Sequence, residues 1–284
     1  NEARVPSISF TGGEPTLRPE LLIECIKYAK QLGMRVNLIT NGTRITPLFA
    51  EQLIVAGLDS AQVSIEGVTA EIHDAIVQSS GAFEKSTNAV KIFKNLGIHV
   101  HTNTTLNSIN ATESILFPEF VKTKLGLERF SMNLIIPTGS SAYNSNLEIR
   151  YSEVGELIKK IQHESKYHQV EFMWYSPIPM CIFNTITHEL GNKGCAACDG
   201  ILSVAPNGDV LPCASYDQPV GNLTKKPFGS IWQGEKAKYF RDKAYAHALC
   251  NDCDSFAICN GGCPLYWRNI GYEELYKTLQ HKIS

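Results

Sequence analysis

Long apolar runs and a strong charge of either sign are both missing from this 284-residue sequence. No stretch of 18 or more apolar residues occurs, and no basic leader followed by apolar and small residues opens the chain, so neither a membrane span nor a secretory signal is expected. Lys and Arg number 26 against 28 Asp and Glu, a formal net charge of −2, which gives no electrostatic footprint for nucleic acid or anionic lipid. An initial Met is missing too: Asn1-Glu2-Ala3 leads straight into a strand pattern, which reads as a fragment. Cysteine is nearly absent ahead of Cys181, where only Cys25 occurs. The expected compartment is a reducing cytoplasm, in which the later cysteines persist as thiolate metal ligands rather than disulfides.

What is present is a core and a pattern. At 43% hydrophobic, the chain can bury one sizeable core plus a small appendage. Strand candidates are Ser7 to Phe10, Arg35 to Thr40, Ala61 to Ile65, His99 to Leu106 and Phe130 to Ile136. Between them lie helical patterns: Leu22, Cys25, Ile26 and Ala29 within Glu20 to Leu32, and Val90, Phe93 and Leu96 within Phe83 to Leu96. Such alternation implies right-handed βαβ units on a parallel sheet, open or closed into a barrel. Functional residues then belong at the carboxyl ends of the strands. The expected divisions are a barrel-like domain over 1–166, a bridging segment over 167–194 and a cysteine-rich domain over 195–284.

The strand ends are polar and rich in glycine. They read Thr11-Gly12-Gly13-Glu14-Pro15, Thr40-Asn41-Gly42-Thr43, Ser64-Ile65-Glu66-Gly67, Asn103-Thr104-Thr105 and Ile136-Pro137-Thr138-Gly139. Adjacent glycines let a backbone approach a ligand, and a carboxylate beside them can hold an amine. Gly-Gly-Glu-Pro also reads as a plain βα turn, since Pro commonly opens a helix.

The tail carries Cys250-x2-Cys253-x5-Cys259-x3-Cys263, preceded by Cys195-x2-Cys198 and Cys213. Residues 201–204 and 209–211 flank Pro206-Asn207-Gly208 as the arms of a β-hairpin that carries cysteines to its ends. This spacing serves metal. Seven or eight thiols exceed one tetrahedral zinc site, although two structural zincs fit the count. Cys25, on an apolar helix face, reads as a packed thiol; Cys181, in Pro179-Met180-Cys181-Ile182-Phe183, as packing or a spare ligand. His99 and His101 share one strand face, and Trp174 and Tyr175 read as packing or cleft lining.

Taken together, these motifs resemble the radical S-adenosylmethionine (radical SAM) enzymes, in particular those with the cysteine-rich extension called SPASM, over Ser7 to about Trp267. The resemblance implies an α/β fold: a partial (β/α)6 TIM-like barrel with its first βα unit missing, then a small SPASM domain with a β-hairpin. It implies S-adenosylmethionine held by Gly12, Gly13, Glu14 and Pro15 at its amino group, by Ser64 at its ribose, and by Asn103 and Asn41. It implies two auxiliary [4Fe–4S] clusters, one on Cys195, Cys198, Cys213 and Cys263, the other on Cys250, Cys253 and Cys259 with a downstream ligand for which His281 stands available. The family's Cys-x3-Cys-x2-Cys loop, which holds the radical-generating [4Fe–4S] cluster, has no counterpart before Gly12, and truncation is the expected reason.

The activity implied is radical oxidation of a peptide or protein side chain, with a one-electron donor such as flavodoxin or ferredoxin. Ala214 stands where sulfatase maturases carry an Asp base, which argues against formylglycine formation. Modification of tetrapyrrole side chains is the alternative enzyme reading, and a non-catalytic iron–sulfur electron-transfer or binding partner the alternative from another class.

Overall fold

The computed structural model describes residues 3–283, without the side chains of Ser145 and 281–283. Contacts divide it into two compact units, Ala3–Asn133 with Leu157–Met173 and Leu134–Glu156 with 174–283. Among the described residues no helix is long and apolar enough to cross a membrane.

The first unit is built on a six-stranded sheet whose strands follow chain order: β1 (Ser7–Phe10), β2 (Arg35–Thr40), β3 (Ser60–Ser64), β4 (His99–Leu106), β5 (Arg129–Leu134) and β6 (Glu171–Trp174). β1 to β4 pair in parallel, with Leu38 opposite Ala61 and Val63 opposite Thr102. Helices α1 (Pro19–Gln31), α2 (Pro47–Ala56), α3 (Ala70–Val77) and α4 (Ala82–Asn95) fill the connections. α1 starts on Pro19, and Thr46 caps α2 by accepting from the Phe49 N–H at 3.2 Å, a side-chain partner for an otherwise orphan donor.

Strand alternation gives the sheet two unlike faces. One carries Val36, Leu38, Ala61, Val63 and Val100, all buried, and meets Ile26, Leu53, Val90 and Phe93 of the helices, which are buried as well. Each such Val, Leu, Ile or Phe side chain contributes about 1.5–3 kcal/mol on removal from water. The other carries Ser9, Asn37, Gln62, His101, Asn103, Thr105 and Asn133. On α1, Leu22, Ile26 and Ala29 are buried while Cys25 is half-buried. Asp59 ties the helix layer to the sheet, accepting from Lys30 Nζ at 2.8 Å and from the Val36 N–H at 2.7 Å.

The sequence pattern locates five strands to within a residue or two; the sixth, Glu171–Trp174, falls in the segment expected to bridge. In the second unit the anticipated hairpin forms from β7 (Ser203–Val204) and β8 (Asp209–Leu211), antiparallel, with Gly208 N–H bonded to Ala205 O at 2.9 Å. Asn207 Oδ1 accepts from the Asp209 N–H at 3.1 Å. A third strand, β9 (Gly221–Asn222), extends it.

Candidate functional site: a polar strand edge and two groups of thiols

The carboxyl ends of β1 and β2 are stitched together by Glu14. Its Oε1 accepts from the Thr16 N–H at 3.0 Å, Thr16 Oγ1 at 2.6 Å and Thr40 Oγ1 at 2.7 Å, and its Oε2 from the Asn41 N–H at 2.8 Å. A carboxylate has about four lone-pair sites, so what it retains for a cation is on Oε2. Ahead of it Gly12 takes φ +116°, and a Cβ built on Gly12 or Gly13 meets nothing within 4 Å. That open backbone is the kind of ledge on which an amino-acid moiety can lie. Asn41 turns its amide inward on its own loop, accepting from the Thr43 N–H at 2.9 Å.

On the next strands Ser64 stands opposite Asn103 in register. Asn103 is held from both sides, accepting from Ser131 Oγ at 2.8 Å and donating to Asn133 Oδ1 at 2.7 Å. Between them the sequence reading passed over Glu66. Although part of it remains accessible, dense surroundings push its carboxyl up to about 7, opposed by the Thr105 N–H that bonds Oε2 at 2.8 Å. Its backbone N–H donates to His73 Nδ1 at 3.0 Å, and Asn110 Nδ2 donates to its carbonyl at 2.9 Å, fixing the loop. Farther along the same face His101 contacts Gln62 at 3.1 Å, and burial, with the charges of His99 and Arg129, brings it down to about 4.

In the second unit the thiols fall into two groups by the fields they exert on one another. Cys198 feels Cys213 and Cys195; Cys263 feels Cys195 and Cys213. Burial first, then these neighbours, pushes Cys198 up to about 11 and Cys263 up to about 12, and raises Cys213. Separately, Cys250 is raised by burial and by Cys259 and Cys253. The chain crosses over to build this: Gly194, beside the first group, lies so close to Ile258 and Asn260 of the second that a Cβ would fall 2.9 Å from the Ile258 carbonyl. Cys263, the last cysteine of the tight run, joins the first group.

Backbone donors already face these sulfurs. Cys263 is held by the N–H groups of Tyr266 and Leu265, Cys213 by those of Ser215 and Tyr216, and Cys259 Sγ accepts from the Met180 N–H at 3.2 Å. An aromatic wall backs the first group: Tyr151 stacks on Tyr266 at 3.6 Å, its hydroxyl accepts the Cys263 N–H at 3.3 Å, and Tyr266 donates to Glu274. Amide-to-sulfur bonds around soft anionic donors are what an iron–sulfur cluster requires of its protein. Among the described residues no three His, Cys, Asp or Glu side chains converge on a single-ion site; a [4Fe–4S] cluster gives each thiolate its own iron, so its ligands surround a larger body than one ion. The His281 side chain lies outside the described residues.

An open α/β sheet with its polar groups at the strand ends, together with a cysteine-rich unit, is the arrangement of a small-molecule site and a set of thiolate donors in one chain. A sequence model of the Radical SAM superfamily matches residues 1–113, and one of an iron–sulfur cluster-binding domain, SPASM, matches residues 195–254. An AdoMet-dependent heme synthase of Oleidesulfovibrio alaskensis is 30% identical over 275 residues, covering 91% of this chain and 70% of that protein. A PqqA peptide cyclase of Ruegeria pomeroyi is 26% identical over 265 residues, 91% of this chain and 69% of that one. The structure of anSMEcpe with bound AdoMet superposes with a TM-score of 0.71 at 18% identity, over 99% of this chain and 84% of that one. The chain belongs to the radical SAM superfamily, in its SPASM-bearing branch, and the family's cofactors are S-adenosylmethionine and [4Fe–4S] clusters.

Proposed function

We propose that this protein oxidises a side chain of a peptide or protein by AdoMet-dependent radical chemistry, with two auxiliary [4Fe–4S] clusters in its cysteine unit. The observation that carries the reading is the spacing of seven thiols, Cys195-x2-Cys198, Cys213 and Cys250-x2-Cys253-x5-Cys259-x3-Cys263, in a unit whose residues 195–254 match an iron–sulfur cluster-binding domain. In this reading Cys195, Cys198, Cys213 and Cys263 hold the first cluster. Cys250, Cys253 and Cys259 hold the second, with His281 the sequence's own candidate for a fourth ligand.

When bound, S-adenosylmethionine with a reducing [4Fe–4S] cluster supplies a carbon radical that takes a hydrogen atom, and the auxiliary clusters supply a sink for one electron. The chain's own work is to bind and orient. Gly12 and Gly13 offer open main chain to the amino-acid moiety, while Glu14 and Pro15 shape that ledge and Oε2 of Glu14 keeps an acceptor for its ammonium. Ser64 and Asn103, together with Asn41, line the edge where the nucleoside would lie. The polar face of neutral amides and hydroxyls beyond, Asn37, Gln62, Asn133 and Thr105, matches the donors and acceptors of a peptide backbone better than a flat apolar macrocycle.

The similarity to AdoMet-dependent heme synthases supports a second reading, oxidation of tetrapyrrole side chains. One experiment separates the two. The protein is reconstituted anaerobically with iron and sulfide and titrated with a coproporphyrin-type tetrapyrrole and with a panel of unstructured peptides. The peptide reading expects saturable peptide binding and no porphyrin band shift; a stoichiometric porphyrin shift without peptide binding reverses it.

A further inference from the structure

The helix Glu235–Arg241 ends in a way that its sequence does not call for. The Lys243 N–H returns to Phe240 O at 3.2 Å and the Ala244 N–H to Tyr239 O at 3.0 Å, the paired bonds of a Schellman turn. The position that turn places in the left-handed region is Lys243, at φ +55°, where glycine is the usual choice. A strained non-glycine residue persists when its surroundings hold it there. Here the hold is visible: Lys243 Nζ donates to the Cys195 carbonyl at 3.0 Å and to Asp199 at 3.1 Å, and Arg241 Nη1 reaches the Cys198 carbonyl at 3.5 Å. The turn is therefore clamped onto the Cys195-to-Cys198 loop.

Two residues on stands Tyr245. It is 8% exposed and packs in one apolar cluster with Cys195, Cys198, Ala237 and Phe240. Its hydroxyl is buried and makes no hydrogen bond, and its ring packs with Cys195 in that cluster. A buried hydroxyl with no partner is destabilising, and such groups in native proteins ordinarily have an acceptor. A protonated thiol is a weak acceptor, whereas a thiolate is a strong one.

We propose that the Tyr245 hydroxyl is a dedicated donor to the sulfur of Cys195 in the iron-bound protein, and that it sets the reduction potential of the cluster held by the first cysteine group. This rests on the iron–sulfur reading given under Proposed function. Hydrogen bonds to cluster sulfurs stabilise the more negative, reduced state and raise the potential. A higher potential suits that cluster to receive the electron left on a substrate radical: the cluster gains one electron, and the substrate loses it. Tyr245 acts through Cys195, so it is a positioning residue and not a catalytic one.

The test is a redox titration of the reconstituted protein followed by electron paramagnetic resonance, wild type against Y245F. The expected result is a downward shift of one cluster signal by a roughly tenfold loss in the equilibrium constant for reduction, about 59 mV for a one-electron couple. The other signal and the iron content stay unchanged. A fluorotyrosine incorporated at position 245 keeps the shape and strengthens the donor; it is expected to move the same signal upward, and it tests the proposal even where Y245F folds poorly. Unchanged potentials in both variants with full iron content overturn the proposal while leaving the iron–sulfur reading intact. Wild-type protein that takes up zinc and no iron overturns that reading, and the proposal with it.

Discussion

The strand edge and the cysteine unit solve opposite problems. At the strand edge the polar groups satisfy one another: Glu14 takes four donors from its own turns, and Asn103, Ser131 and Asn133 close on each other. In the cysteine unit the ionisable groups burden one another, since Cys195 and Cys213 both raise Cys198 and Cys263, and Tyr245 keeps an unanswered hydroxyl. A site that is complete without its ligand is preorganised to bind. A site whose members repel when ionised is waiting for a positive charge.

The strongest break in that comparison is metal removal. Binding of metal by thiolates in small domains contributes on the order of 10 kcal/mol, which is free energy of folding for a unit that lacks a preformed site. Iron-free protein is expected to lose hydrogen-exchange protection across 195–270 while β2 to β4 keep theirs. Equal protection in both regions with and without iron contradicts the contrast. C263A sharpens it: the variant is expected to lose the iron of one whole cluster, whereas C253A leaves the first cluster's spectrum untouched.

Next in size is the sheet's own core. Phe93 is fully buried on α4, and Phe93→Ala is expected to cost about 3–5 kcal/mol in a denaturant titration. Iron content per folded molecule is expected to stay the same, because Phe93 belongs to the first unit and these cysteines to the second.

Smaller again is Glu14→Gln, which keeps the shape but turns an acceptor into a donor facing the Asn41 N–H. Loss of charge-assisted bonds of this kind costs roughly 1.5–3 kcal/mol. S-adenosylmethionine binding by calorimetry is expected to weaken by tenfold or more with little change in iron. Unchanged affinity shows that the Gly12-Gly13 main chain suffices.

The mildest effects are in pH. Cys198 and Cys263 lie above the ordinary thiol value of 9.0, at about 11 and about 12, so the iron-free folded state keeps protons that the unfolded chain releases. Their contribution to stability is full below pH 9 and is lost as the pH rises through about 12. Whatever folded population the iron-free cysteine unit retains should therefore shrink further over that window, and this loss should vanish once iron is bound. Glu66 behaves likewise on a lower scale: raised from 4.5 to about 7, it favours the folded state at acid pH and loses that contribution as pH rises through 7. E66Q should flatten the dependence between pH 5 and 8.

Much of this was legible in the chain. Alternating apolar runs mark β1 to β5, because a strand buried on one face must repeat with period two, and the cysteine spacings mark a metal unit, because ligand geometry fixes them. β6 was missed since its four residues follow a long helix without a turn signal, and β9 since Gly221–Asn222 has no strand propensity and is recruited by β8. Glu66 and Tyr245 were passed over for a common reason. Their chemistry comes from what surrounds them, the Thr105 and Asn110 loop for one and the clamped Cys195 loop for the other, and no short-range pattern announces either. Glu14 was singled out, but its four bonds to the adjoining turns depend on β1 and β2 lying side by side.

Counting iron and inorganic sulfide per chain after anaerobic reconstitution, with Mössbauer spectra of the wild type and C198A, tests the central claim most directly. Two clusters are expected in the wild type and one, with the spectrum of the second cysteine group, in C198A. A wild type that holds no iron, or a C198A protein with both clusters intact, contradicts it.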